Sequence, residues 1–237
     1  MARLDDAKVM VIGGASGVGF AVAAAALEAG AEVIVGSSQA PRIESAAEKL
    51  GRGARGLTVD VRDDASVAAF FDAAGPFDHL VFTAGDWGQR FGSIRDLDVE
   101  ASKARMEVRF WGAVRAAKHA TRQLAKHGSI TLTSGMLAHR PRPGTPLHTA
   151  SNHTTEGLTM GLARDLAPIR VNAVCLGLIL SEVVQAMGEA TIKGFTANLP
   201  LPRGGKVEEA AEAYLYLMRA TYVTGQVVRV DGGASLV

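Results

Sequence analysis

The most specific chemistry suggested by residue types lies in Val9-Met10-Val11-Ile12-Gly13-Gly14-Ala15-Ser16-Gly17-Val18-Gly19, where a β-branched apolar run passes into a glycine-rich turn. The turn then enters the alanine-rich stretch 20–27, whose composition favours a helix. Such a turn gathers backbone N–H groups and the positive end of a helix dipole at one spot, which suits a pyrophosphate. Gly13 permits the tight turn, Gly17 lets the backbone approach phosphates, and Gly19 lets the helix pack on the strand. The spacing G-x-x-x-G-x-G fits a ligand-free strand-to-helix turn as well as a phosphate cradle. Histidine is the second reactive type, at positions 139, 148 and 153. An imidazole titrates near about 6.5 and exchanges protons at neutral pH without a cationic neighbour. Positions five residues apart differ by about 140° around a helix, which turns His153 away from His148. The segment 139–153 holds no carboxylate or thiolate, so no metal centre is expected there. Cys175 is the only cysteine, which excludes an internal disulfide and reads as a small buried apolar residue.

Positioning these groups calls for alternating strands and helices. Gly30 stops the first helix and residues 31–35 form a second strand. Ile43, Ala46, Ala47 and Leu50, at i, i+3, i+4 and i+7, give an amphipathic helix over 42–50 that Gly51 stops. Strand 56–59 follows, then a helix capped by Asp63 or Asp64 that carries Val67, Phe70 and Phe71. After strand 79–82, a polar loop from Gly85 leads to a long helix, capped by Asp96 or Asp98 and reaching Lys126. Strand 129–133 precedes an irregular segment, 134–146, with three prolines and two glycines. A helix from about Leu147 ends before Pro168, and strand 170–175 leads to a candidate lid, 181–202. A helix over 207–218 and a strand over 225–230 complete the order. This pattern predicts an α/β chain: one Rossmann-type, doubly wound domain over residues 1–237, its seven-stranded parallel sheet covered by helices on both faces. Ligands belong at the carboxyl ends of the strands.

Bulk properties narrow the partners. Twenty-five basic and 24 acidic residues nearly cancel, so no strong field favours nucleic acid or an anionic membrane, and a small molecule is the expected partner. The longest apolar candidate, 171–180, is half a membrane span and contains Asn172. Acidic residues in Met1-Ala-Arg-Leu-Asp-Asp6 stand where a signal peptide would begin its apolar region, so a soluble, unprocessed, cytoplasmic protein is expected.

Five separated motifs resemble the short-chain dehydrogenase/reductase family. Ile12-Gly-Gly-Ala-Ser-Gly-Val-Gly19 is similar to its T-G-x-x-x-G-x-G, with Ile12 for threonine. Asp60-Val61 resembles its adenine-contacting pair, and Thr83-Ala84-Gly85 resembles its N-A-G. Arg170-Val-Asn-Ala-Val-Cys-Leu-Gly177 is similar to R-V-N-x-x-x-P-G, with Leu176 for proline, and 223–233 is similar to the family's closing strand. The resemblance implies a nicotinamide cofactor and a homo-oligomer, tetramer or dimer, built on the two long helices. It places Ala15, Ser16 and Val18 at the phosphates, Asp60 and Val61 at the adenine, Ala84 and Gly85 at the ribose, and Ile179 and Ser181 at the carboxamide. An NAD site of this kind needs a carboxylate after the second strand. This chain has Gly36-Ser37-Ser38 there with Arg42 just beyond, a set suited to the 2′-phosphate of NADP, with NAD the less favoured cofactor. Ser37 and Ser38 also suit a solvated turn.

The family's reactive set is a Tyr, a Lys four residues later, a Ser thirteen before the Tyr and an Asn on the preceding helix. Aligned on this pattern, His148, Asn152, Gly135 and Arg109 occupy the four positions, with Ser134 beside the third. Losing Tyr and Lys together is coherent if His148 exchanges the proton, because an imidazole near about 6.5 needs no cation to act. Asn152 keeps a hydrogen bond to the nicotinamide ribose, Ser134 polarises a carbonyl if the loop shifts by one residue, and Arg109 orients an anionic substrate. The alternative for His148 is a residue that fills the tyrosine's space. Three functions follow: an NADP(H)-dependent oxidoreductase on a small carbonyl or alcohol, a catalytically silent dinucleotide-binding regulator or partner subunit, and a non-redox enzyme on the same scaffold.

Overall fold

The computed structural model describes residues 4–85 and 92–237, apart from the side chains at 104 and 105. Residues 86–91 of the polar loop expected after Gly85, and residues 1–3, lie outside the described residues. In chain order the elements are β1 (Lys8–Ile12), α1 (Gly17–Glu28), β2 (Glu32–Ser37), α2 (Ala40–Leu50), β3 (Ala54–Thr58), α3 (Asp64–Ala74) and β4 (Phe77–Phe82). Then come α4 (Val99–Met106), a π-helical turn (Glu107–Trp111), α5 (Gly112–Ala120), β5 (Leu124–Gly135), α6 (Pro146–Asp165) and β6 (Arg170–Leu176). The last are α7 (Glu182–Gln185), α8 (Glu189–Thr196), α9 (Val207–Arg219) and β7 (Val227–Val230).

The seven strands form one sheet in the order β3-β2-β1-β4-β5-β6-β7, and every pairing is parallel. Order reverses between β1 and β4, the crevice where such sheets take their ligands. Strand side chains alternate between two cores. Met10, Ile12, Leu80 and Phe82 meet α3 and α5 through Val67, Phe70, Phe71, Ala113 and Ala117. Val9, Val11, Val33 and Val35 meet α1, α2 and α9 through Val22, Ala26, Ile43, Tyr214 and Leu217. Burial on both faces explains why β1 reads as a continuous apolar run.

Local signals act as their chemistry requires. Asp63, the first of two candidates, caps α3 by accepting from the Ala65 N–H at 3.0 Å. Asp98, again one of two, accepts from the Ala101 N–H at 3.0 Å at the start of α4. The Arg-Val-Asn motif of β6 is a brace. Arg170, buried, donates to the carbonyls of Leu217, Met218 and Ala220 at 2.6, 2.7 and 3.0 Å and so closes the end of α9. Asn172 donates to the Val223 carbonyl at 2.9 Å and accepts from the Gln226 N–H at 3.0 Å, which aligns β7.

The largest departure concerns the helix expected to reach Lys126. The chain leaves α5 at Ala120, and β5 begins at Leu124, five residues before the expected strand. Buried Leu124 pairs with Phe77, and the register shifts before Ser129 pairs with His79, so Lys126-His127-Gly128 sits in an irregularity of a strand.

Candidate active site

The glycine turn lies at the carboxyl end of β1 and opens into α1. A Cβ at Gly13, whose φ is +92°, would stand 2.6 Å from both the Ala84 nitrogen and the Thr83 Oγ1. A Cβ at Gly19 would run into the Gly13 carbonyl oxygen and stand 2.5 Å from the same Thr83 hydroxyl. No other residue type fits either place, so turn, helix and the end of β4 close on one another. Thr83 fastens the junction by donating to the Ile12 carbonyl at 3.2 Å. Across the opening, the Ser181 Cβ stands 3.3 Å from a Cβ built on Gly17. Ser16 precedes the first turn of α1 in extended conformation, and Ala15 and Val18 flank it, half-buried. The residues present therefore fit a dinucleotide: a tight cradle whose mouth is bordered by small groups and a helix N-terminus.

At the other end of the crevice, Ser37 ends β2 half-buried, and Ser38 and Arg42 are exposed, Arg42 in the first turn of α2. Asp60 accepts from Arg62 Nε at 2.9 Å and Nη2 at 2.7 Å, and its side-chain bond to Arg62 holds its carboxyl below the usual range. Val61 is buried against Gly112, and Ala84 and Gly85 are half-buried at the end of β4. Ile179 is buried and bridges to Gly205, and its carbonyl accepts from the Ser181 N–H at 2.8 Å.

Arg109 occupies the π-helical turn, a distortion that re-aims a side chain. Its guanidinium Nη2 and Nε stand 2.8 and 3.0 Å from a Cβ built on Gly85. The structure thus brings Arg109 to the ribose end of the predicted cofactor path. His148, half-buried, Asn152 and Glu156 stand at i, i+4 and i+8 of α6, one stripe of its surface. The Asn152 amide is buried and lies 3.2 Å from a Cβ built on Gly135. Glycine at 135 and asparagine at 152 therefore share one space.

Ser134 lies beneath α6, 1% exposed, and donates to Glu156 Oε1 at 2.7 Å and toward the Asn152 carbonyl at 3.3 Å. His139 Nε2 lies 3.1 Å from the same Oε1, and Arg229 Nη2 is 3.3 Å from His139 Nδ1. Cys175 is fully buried beside them, paired with Ser134 across β5 and β6, and burial pushes its thiol up to about 12. The sequence reading missed Glu156; the eight-residue spacing from His148 was the available signal. It also missed Tyr214, a fully buried phenol 2.8 Å from the Thr133 hydroxyl, whose pKa burial raises.

Residues 13–235 match the model described as enoyl-(acyl carrier protein) reductase. A short-chain dehydrogenase/reductase of Stachybotrys chlorohalonatus is 35% identical over 257 residues, covering all of both chains. A crystal structure of a small-chain dehydrogenase in complex with NADPH is 35% identical at TM-score 0.83, covering 98% of this chain and 100% of that one. The MalC reductase/Diels-Alderase of Malbranchea aurantiaca is 30% identical at TM-score 0.92, covering 99% of this chain and 98% of that one. The fold and these matches define a Rossmann-type dinucleotide-fold oxidoreductase. In particular, the chain belongs to the short-chain dehydrogenase/reductase family.

Proposed function

We propose that the protein is an NADP(H)-dependent oxidoreductase acting on a small carbonyl or alcohol substrate with a non-standard acid/base set. The observation that carries this reading is the cradle itself, in which Gly13, Gly19 and Thr83 close so tightly that no side chain fits while Ser181 faces Gly17 across the mouth. Ser37, Ser38 and Arg42 favour the 2′-phosphate, since no carboxylate follows β2 and Arg42 is exposed to receive it. The relative that holds NADPH supports the same choice.

When bound, the nicotinamide gives or takes the hydride. His148 gives or takes the proton at the substrate oxygen, as an imidazole does near neutral pH. Arg109, brought beside Gly85 by the π-helical turn, holds positive charge where a substrate carboxylate or enolate oxygen would lie. Asn152 holds the ribose, with its amide fixed against Gly135. Ser134, assigned by sequence to the substrate carbonyl, serves in this proposal as a positioning residue, because its hydroxyl is donated to Glu156. Residues 181–202 act as the lid: α7 and α8 lie there, and the Arg142 guanidinium sits 4.7 Å over the Phe195 ring, linking α8 to the segment before α6. Self-association is proposed through the helices around the π-turn, where Val99, Trp111 and Met160 are exposed.

A second reading, a non-redox enzyme on this scaffold, draws on the relative named both reductase and Diels-Alderase. The two separate in one experiment. Reduced NADP with a panel of small ketones and aldehydes is followed by nicotinamide absorbance, in wild type and in His148→Ala. Turnover in wild type that falls at least a hundredfold in kcat, with NADPH affinity kept, supports the first reading. Tight NADPH binding without any turnover sinks it.

A further inference from the structure

Beneath α6 lies a cluster that hydride transfer does not use. His139, Glu156 and Cys175 each offer a ligand atom, and these atoms all lie within 4.8 Å of one another. They come from three separate parts of the chain: the turn after β5, the inner face of α6, and β6. We propose that they form a binding site for a zinc-class divalent cation.

Two observations carry the assignment beyond a satisfied hydrogen-bond network. First, the donor set is mixed in the way a borderline-soft cation prefers, with one cysteine sulfur, one imidazole nitrogen and one carboxylate oxygen. Ligands at about 2.0–2.3 Å from zinc lie roughly 3.2–3.7 Å apart, so the group needs to contract by only about 1 Å. His139 Nε2 and Glu156 Oε1 are already 3.1 Å apart. Second, the buried Glu156 carboxylate accepts two hydrogen bonds on the single oxygen Oε1, from Ser134 and His139. A guanidinium only donates, so Arg229 makes His139 Nδ1 an acceptor and leaves the ring proton on Nε2, facing Glu156. A dication bound directly at Oε1 would set positive charge against a carboxylate held inside the fold. Ser134 or a water completes the shell.

On binding, the Cys175 thiol releases its proton to solvent and the His139 proton moves from Nε2 to Nδ1, which turns the exposed Arg229 away. His139, with 22% of its side chain accessible, is the way in.

The test uses the full chain and cobalt(II) as a spectroscopic probe. Because the chain has one cysteine, any thiolate-to-cobalt charge-transfer band reports Cys175 alone. The expected result is a saturable band at one cobalt per chain, displaced by zinc and absent in Cys175→Ala. Affinity should drop at least tenfold in His139→Gln and in Glu156→Gln, and rise at least threefold in Arg229→Gln. His139→Gln and Arg229→Gln change partly exposed side chains, so they keep the test open if a buried variant misfolds. Cobalt binding without the thiolate band, or a band whose affinity is unchanged in His139→Gln, overturns the proposal. So does unchanged or weaker binding in Arg229→Gln.

Discussion

The burial of His79 makes the stability of this sheet depend on pH. Its imidazole, 8% exposed on β4, shares a 2.9 Å hydrogen bond between Nδ1 and the Ser129 hydroxyl of β5. Burial lowers its pKa from 6.5 to about 4; Asp78 opposes the shift and Arg170 adds to it. The folded protein therefore keeps His79 neutral where the unfolded chain protonates it. Stability from this residue is complete above about 6.5 and drains away as pH falls toward about 4. A shift of that size corresponds to about 3 kcal/mol, or roughly 6–12 °C in Tm for a chain of this length. Urea unfolding of wild type and His79→Gln at pH 7 and pH 4 isolates the effect, since glutamine keeps a polar contact to Ser129 without titrating. Glu209, which its hydrogen bond to Arg203 holds at about 2, is common to both proteins and cancels in the comparison. Wild type should lose about 3 kcal/mol more than the variant between the two pH values. Equal losses would refute the assignment of a buried neutral imidazole.

Three further outcomes test the site and its supports. Gly19→Ala drives a methyl into the Gly13 carbonyl and the Thr83 hydroxyl, so NADPH affinity by calorimetry should fall at least tenfold, with about 1–3 kcal/mol of stability lost. Arg42→Ala should weaken NADPH by roughly 10- to 150-fold and leave NADH affinity unchanged, because one charge-assisted phosphate contact is worth about 1.5–3 kcal/mol; equal effects on both dinucleotides would reject the 2′-phosphate role. Arg170→Met strands two buried carbonyls and one half-buried carbonyl at the end of α9 and should cost about 3 kcal/mol by urea unfolding, without changing which cofactor binds.

The sheet was legible because its signals are local. Val9 to Ile12 announces a strand buried on both faces, Gly30, Gly51 and Gly75 end helices by adopting positive φ, and Asp63 caps by geometry confined to two residues. Leu124 was missed because Lys126-His127-Gly128 lacks any strand pattern, and only pairing with Phe77 makes it extended. The cradle was legible for the same reason as β1: its glycines lie within seven residues and act on one turn.

The chemistry around α6 escaped the sequence because it is assembled across the sheet. No local rule places His139 against Glu156, or either beside Cys175. The segment 139–153 holds no carboxylate because Glu156 lies one helical turn beyond it, and the Cys175 thiol arrives from a strand whose register with β5 only folding sets. The same assembly explains why Ser134 reads differently in three dimensions. Strand alternation turns its hydroxyl under α6, where Glu156 accepts its hydrogen bond, whereas Gly135 next to it leaves room for the Asn152 amide. Glycine at 135 and asparagine at 152 fit each other sterically, and serine at 134 and glutamate at 156 fit each other by hydrogen bonding. Each pair joins the end of β5 to the inner face of α6, so Gly135→Ser alone should crowd the Asn152 amide, 3.2 Å from a Cβ at 135, before its hydroxyl serves any reaction.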